Sequence, residues 1–130
     1  MGSRGVTVVS ENIKQKQLDI ILKTNPAEDD IHTWIRSVDD ILSYQEAIDD
    51  IGGPTWLTDD FTEDMIKEAL RTNEITVYSS KPIKNGNFVT PSYMEAEQYA
   101  GGIGGKVYSK KVKLNHVAWI DELQGQYAKV

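Results

Sequence analysis

The sequence changes its periodicity at Asn73, and no other feature constrains the fold as strongly. Before that point, apolar residues recur at intervals of three and four. Ile13, Gln17, Ile20 and Ile21 mark a first helix that Ser10 caps and Asn25-Pro26 ends, because the residue before proline avoids helical backbone. "AEDDIHTWIR" follows as a short helix or an irregular turn. Ser37 to Asp50 reads as the next helix, with Val38, Ile41, Leu42, Ala47 and Ile48 on one face and Ser37 with Asp40 as a capping box. "IGGPTW" breaks the chain. Thr58 or Asp60 then caps a third helix with Phe61, Met65, Ile66, Ala69 and Leu70 turned inward.

After Asn73 the grammar is that of strands. "EITVYSS", "GNFVT", "KVYSKKVKL", "HVAWI" and "GQYAKV" are β-branched or aromatic runs bounded by turn residues. Only "TPSYMEAEQYA" interrupts them, as a helix capped at Thr90 or Ser92 with Pro91 in its first turn. "KNGN" carries the Asn-Gly pair of a tight hairpin, and "GGIGG" (Gly101–Gly105) reads as a flexible connection. "VTVV" (Val6–Val9) adds a short strand at the start. The pattern predicts a single α+β domain over residues 1–130. Its helical half, about 10–72, packs on a mostly antiparallel sheet formed by the half from about 73 to 130.

With 39% hydrophobic residues, three Trp and six Tyr, the chain has the material for one core. No run approaches the ~20 apolar residues of a membrane span, so no membrane partner is expected. "MGSRGVTVVS" lacks the apolar centre of a secretory leader, and "MGSRG" reads as an expression remnant. The absence of cysteine excludes disulfides, thiolate metal ligands and a Cys nucleophile, and a cytoplasmic setting is the expectation. The net charge of −6 conceals an asymmetry: 14 acidic residues stand against 3 basic ones between Asn25 and Ile75. The remainder has 6 acidic and 11 basic. So acidic a segment either supplies helix caps and solvated faces or imitates nucleic acid before a basic partner.

Few motifs carry chemistry. His32 and His116 lack neighbours with metal-ligand spacing, so no metal is expected; His32 and Arg36, four apart, share a face if their segment is helical. "GGIGG" follows a helix and opens a strand, unlike a dinucleotide fingerprint. The lysines of "KVYSKKVKL" read as the wet face of a half-buried strand, and direct nucleic-acid binding is disfavoured because no aromatic platform accompanies them. The richest cluster is "ITVYSSKPIKNGNFVTPSYMEAEQYAGG". There Tyr78, Ser79 and Ser80 end one strand, and Thr90 and Ser92 end another beside a helix N-terminus that favours anions. These hydroxyls either line a site or serve as caps.

In this stretch the order of elements resembles the ADP-ribosyltransferase-like fold, most of all its small members in phages and mobile elements and in large polyvalent proteins. "ITVYSS" resembles the family's first strand, "NFVTPSYMEAEQYA" its second strand and helix, and "VAWIDELQGQYAKV" its closing strands. The family places an NAD-holding Arg or His on the first strand, where this chain has Ser79 and Ser80. Its catalytic Glu falls where this chain has Gln124 and Gln126, with Asp121 or Glu122 as substitutes in another register. A carboxylate stabilises the charge that develops on the ribose as nicotinamide leaves, and an amide does not.

The resemblance therefore implies a groove lined by Tyr78, Ser79, Ser80, Thr90, Ser92 and Tyr99 and faced by Gln126. It further implies an accessory protein of a phage or mobile element that binds a protein partner or a nucleotide-like ligand without full transferase activity. One alternative is an active NAD-dependent ADP-ribosyltransferase in which Arg36 or His32 holds the pyrophosphate. A second is an acidic inhibitor of a host nucleic-acid-binding protein.

Overall fold

Asn73 takes left-handed backbone, φ 59° and ψ 29°, and its N–H donates to the Ala69 carbonyl at 2.8 Å. This closes helix α3 (Glu63–Thr72) and turns the chain directly into strand β1 (Glu74–Ser79). Asparagine tolerates that conformation better than most residues with a Cβ, so the change of pattern at Asn73 has a local cause. The computed structural model describes residues 11–24, 35–51, 57–121 and 124–130. The strand expected at Val6–Val9, the Ser10 cap, His32 and most of its segment, and residues 52–56 of the expected break lie outside the described residues.

β1 pairs antiparallel with β3 (Tyr108–Lys113), Glu74 opposite Lys113 and Ser79 opposite Tyr108. β2 (Phe88–Val89) and β4 (Val117–Asp121) flank β5 (Gln124–Tyr127), both antiparallel. A bridge from Tyr78 to Thr90 joins the two sheets, with N–H to carbonyl distances of 2.7 and 2.9 Å. The strand order is thus β3-β1-β2-β5-β4, and the chain is α+β as expected. The turn expected at "KNGN" closes, with the Asn87 N–H donating to the Lys84 carbonyl at 3.0 Å. β1 and β2 meet only at Tyr78 and Thr90, however, so the connection is wide and not a tight hairpin. Gly86 does adopt positive φ, 96°, but its N–H donates to the Tyr127 carbonyl at 2.6 Å and so ties the turn to β5. β3 has the expected half-buried face, with Tyr108 and Val112 on it and Lys111 and Lys113 on the wet one. Lys110 is the exception, on the face of Val112 with its ammonium 4.9 Å from the Tyr127 ring centroid.

The first helix forms as α1 (Glu11–Thr24), with Gln17, Leu18 and Ile21 buried. The helix expected over Ser37–Asp50 is shorter. Val38–Asp40 is a single 3-10 turn, and the chain then extends because the Leu42 N–H donates to the Trp119 carbonyl at 3.1 Å. Helix α2 (Tyr44–Ile51) begins only after Ser43. The capping box is therefore Ser43 with Glu46: Ser43 Oγ accepts the Glu46 N–H at 3.1 Å, and Glu46 Oε2 accepts the Ser43 N–H at 3.0 Å. These bonds hold the Glu46 carboxyl below the usual carboxylate range. Ser37, by contrast, makes no side-chain capping bond. For α3 the cap is Thr62, not Thr58 or Asp60, and Met65 turns outward, 44% exposed.

Two apolar clusters sandwich the β2-β5-β4 sheet. Val117, Trp119 and Tyr127 face the larger one, where Tyr44 packs on Trp119 with ring centroids 4.6 Å apart, and α3 and β1 contribute Ile66, Ala69, Ile75 and Val77. Ala118 and Ala128 face the smaller one, formed with Leu18 and Ile21 of α1, Ile35 and Ile41. Period-2 alternation along β4 accounts for this division, with the small alanine meeting the helix and the tryptophan filling the main core. Gln17, fully buried, pins α1 by donating to the Asn115 and Ala128 carbonyls at 3.0 and 3.2 Å. No helix among the described residues is long and apolar enough to cross a membrane.

Candidate functional site

The hydroxyl cluster assembles, but its groups are directed at one another. Thr90 and Ser92 are buried, and Thr90 Oγ1 accepts the Ser92 N–H at 3.2 Å. Ser92 is the N-cap of α4 (Tyr93–Tyr99): its Oγ accepts the Glu95 N–H at 3.1 Å and donates to Asp60 Oδ1 at 3.0 Å. Pro91 precedes the cap instead of lying in the first turn. Asp60 also accepts the Met94 N–H at 2.8 Å and the Thr58 hydroxyl at 2.7 Å. Burial works to raise the Asp60 pKa, but the bonds from Thr58, Met94 and Ser92 outweigh it and hold the carboxyl below its usual value. Ser79 is buried and accepts the Lys81 N–H at 3.2 Å, while Ser80 is half-buried.

The α4 start, which in the sequence looked receptive to an anion, is thus taken by the chain's own carboxylate. A pyrophosphate placed there would meet Asp60, so these residues do not fit a dinucleotide. The other candidate residues are dispersed. Gln126 is fully buried, lies opposite Ala118 on the α1 side of the sheet, and donates to the Gly86 carbonyl at 3.0 Å. Ser79 alternates with Tyr78 on the face of Val77, toward the main core, so Ser79 and Gln126 do not share a cleft. Tyr99 is exposed at the end of α4, where its hydroxyl accepts from Gln124 Nε2. Arg36 is exposed beside Ile35 of the smaller cluster, and its N–H donates to Asp40 Oδ2 at 3.1 Å. His32 and Glu122 fall outside the described residues.

Among the candidates, Tyr78 lines an open groove, of about 470 Å³, between α3 and strands β1 and β3. Its floor is Phe61, Met65, Ala69 and Ile75. Asp64, Glu68 and Glu74 stand at its lip against one cation, Lys111, whose ammonium is 3.9 Å from Glu74. Tyr78 also meets Tyr93 edge to face, with centroids 5.6 Å apart, which carries the apolar surface on to the first residue of α4. Tyr93 and Met94 are 43% and 49% exposed.

The sequence pattern marks Asp60 as a candidate helix cap and Met65 as a core residue. No local signal connects Asp60 to a serine 32 positions away. For Met65 a signal existed: Phe61, Met65, Glu68 and Thr72 follow helical spacing, and Asp64 and Glu68 flank the stripe with acid. Among the described residues, no group of three or more His, Asp or Glu side chains is placed to hold a metal ion. No family model, curated protein or solved structure matches the chain.

Proposed function

We propose that the protein is a binding module on an ADP-ribosyltransferase-like scaffold, of the kind found in phage and mobile-element proteins, and that it acts by recognising a protein partner and not by NAD-dependent transfer. The element order supports the scaffold: two strands joined at Tyr78 and Thr90, a capped helix after the second, and two closing strands. The observation that carries the functional reading is the engagement of Ser92 and the α4 start by Asp60. It turns the positions matched to an NAD site into scaffold, and Gln124 and Gln126 offer amides where transfer chemistry needs a carboxylate.

Calorimetric titration with NAD, paired with an assay for released nicotinamide, tests this reading. It predicts no heat at millimolar NAD and no nicotinamide. Release of nicotinamide that Gln126→Ala abolishes would overturn it in favour of the transferase.

A further inference from the structure

We infer that the groove between α3 and β1 takes a basic amphipathic segment of a protein partner. The inference rests on the binding-module reading and adds the chemistry of the occupant.

Three observations converge on that chemistry. First, the lip carries three carboxylates, Asp64, Glu68 and Glu74, against the single ammonium of Lys111. Glu68 already pairs with Arg71 and Glu74 lies near Lys111, but these pairs are solvent-exposed and can exchange partners. Second, the floor is apolar and one of its members, Met65, is a long flexible side chain left 44% exposed. Unbranched, polarisable methionine adapts to varied apolar shapes, and Met94, likewise exposed, lies next to Tyr93 at the groove's end. Third, Tyr78 and Tyr93 bring two aromatic rings with polar tips to the same surface, the residue type enriched where proteins are recognised.

Alternative occupants fit less well. A nucleic-acid backbone or a nucleotide would bring phosphates against three carboxylates. A small polyamine would satisfy the lip but leave Met65 and Tyr78 uncovered. An apolar peptide would cover the floor and draw nothing from the carboxylates. A segment with Lys or Arg on one face and aliphatic side chains on the other satisfies both, in the manner of an amphipathic helix laid in a groove.

The test is fluorescence anisotropy with a labelled leucine/lysine amphipathic peptide, alongside a serine/lysine peptide of equal charge and a leucine/glutamate peptide. The leucine/lysine peptide should bind at least about tenfold more tightly than either control and weaken steeply as salt rises. Glu68→Gln with Glu74→Gln should weaken it by about tenfold, and Met65→Ser by several-fold, while Asp39→Asn with Asp49→Asn, the same charge change outside the groove, should leave it unchanged. Circular dichroism confirms that each variant is folded.

Equal affinity for the two lysine peptides, or equal losses from the two double variants, would overturn the inference by reducing it to non-specific charge attraction. No binding combined with silence toward NAD would overturn the occupant while leaving the binding-module reading in place. A concentration-dependent dimer dispersed by Glu68→Gln with Glu74→Gln would assign the groove to a second copy instead.

Discussion

Ser92 Oγ donates to Asp60 Oδ1 at 3.0 Å, across 32 residues of sequence, and this bond fixes the loop before α3 against the start of α4. Asp60 simultaneously accepts the Met94 N–H, so one carboxylate satisfies a serine cap and a free helix amide. Replacing Ser92 by alanine is expected to cost about 1 kcal/mol through the lost cap, and Asp60→Ala about 2 kcal/mol through the lost charge-assisted bonds. The double variant should lose less than the sum, because the two share a bond. Urea titration of the four proteins measures the coupling, and strict additivity would show that the pair does not act as a unit.

Acid should weaken the fold in two separable steps. Burial, then the charges of Lys129 and Lys113, lower the His116 pKa from 6.5. Its folded value lies below its unfolded one, so the unfolded chain takes up the proton first, and stability falls as pH drops from about 6.5 toward the folded value. Asp60 is also lowered, from 3.8, and its contribution is present above that value and lost as pH falls through the lower, folded one. His116→Gln should therefore flatten the upper step, and Asp60→Asn should reduce the lower, to which Glu46 also contributes. The check is stability measured by denaturant at a series of pH values.

Gly125 lies opposite Trp119 and Val89 in the middle of the β2-β5-β4 sheet. A Cβ there would stand 2.5 Å from Val117 Cγ1 and 3.1 Å from both the Ala118 oxygen and Trp119 Cε3. Gly125→Ala is expected to destabilise by about 1–3 kcal/mol through overpacking. Thermal unfolding would register the change, with the half-buried neighbour Gln124→Ala as the comparison.

The two serines before α2 should behave differently. Ser43→Ala removes the cap that meets Glu46 and should cost about 1 kcal/mol, whereas Ser37→Ala removes no capping bond and should be close to neutral. Comparable losses at both positions would place the helix start where the periodicity alone suggested.

How much of this was legible follows from which interactions are local. Helix α1, the five strands, the break at Asn73 and the Ser92 cap depend on spacing and near neighbours, and all were readable. The Ser37 helix was misread because Leu42 pairs with Trp119, a contact 77 residues distant that overrides an apolar period of three and four. The hairpin is wider than the Asn85-Gly86 pair suggests, because β2 pairs along its length with β5 and meets β1 only through Tyr78 and Thr90. In the candidate site, Tyr78 was found as a hydroxyl and not as a groove wall. Asp60 was hidden because its role depends on a serine that only the fold brings near.

Partner recognition in the α3–β1 groove is tested most directly by amide NMR during titration with the leucine/lysine peptide. The account predicts that the largest shifts fall on α3 from Asp64 to Thr72 and on β1 from Glu74 to Tyr78. Shifts centred on α1 from Glu11 to Thr24, or spread evenly over the surface, would contradict it.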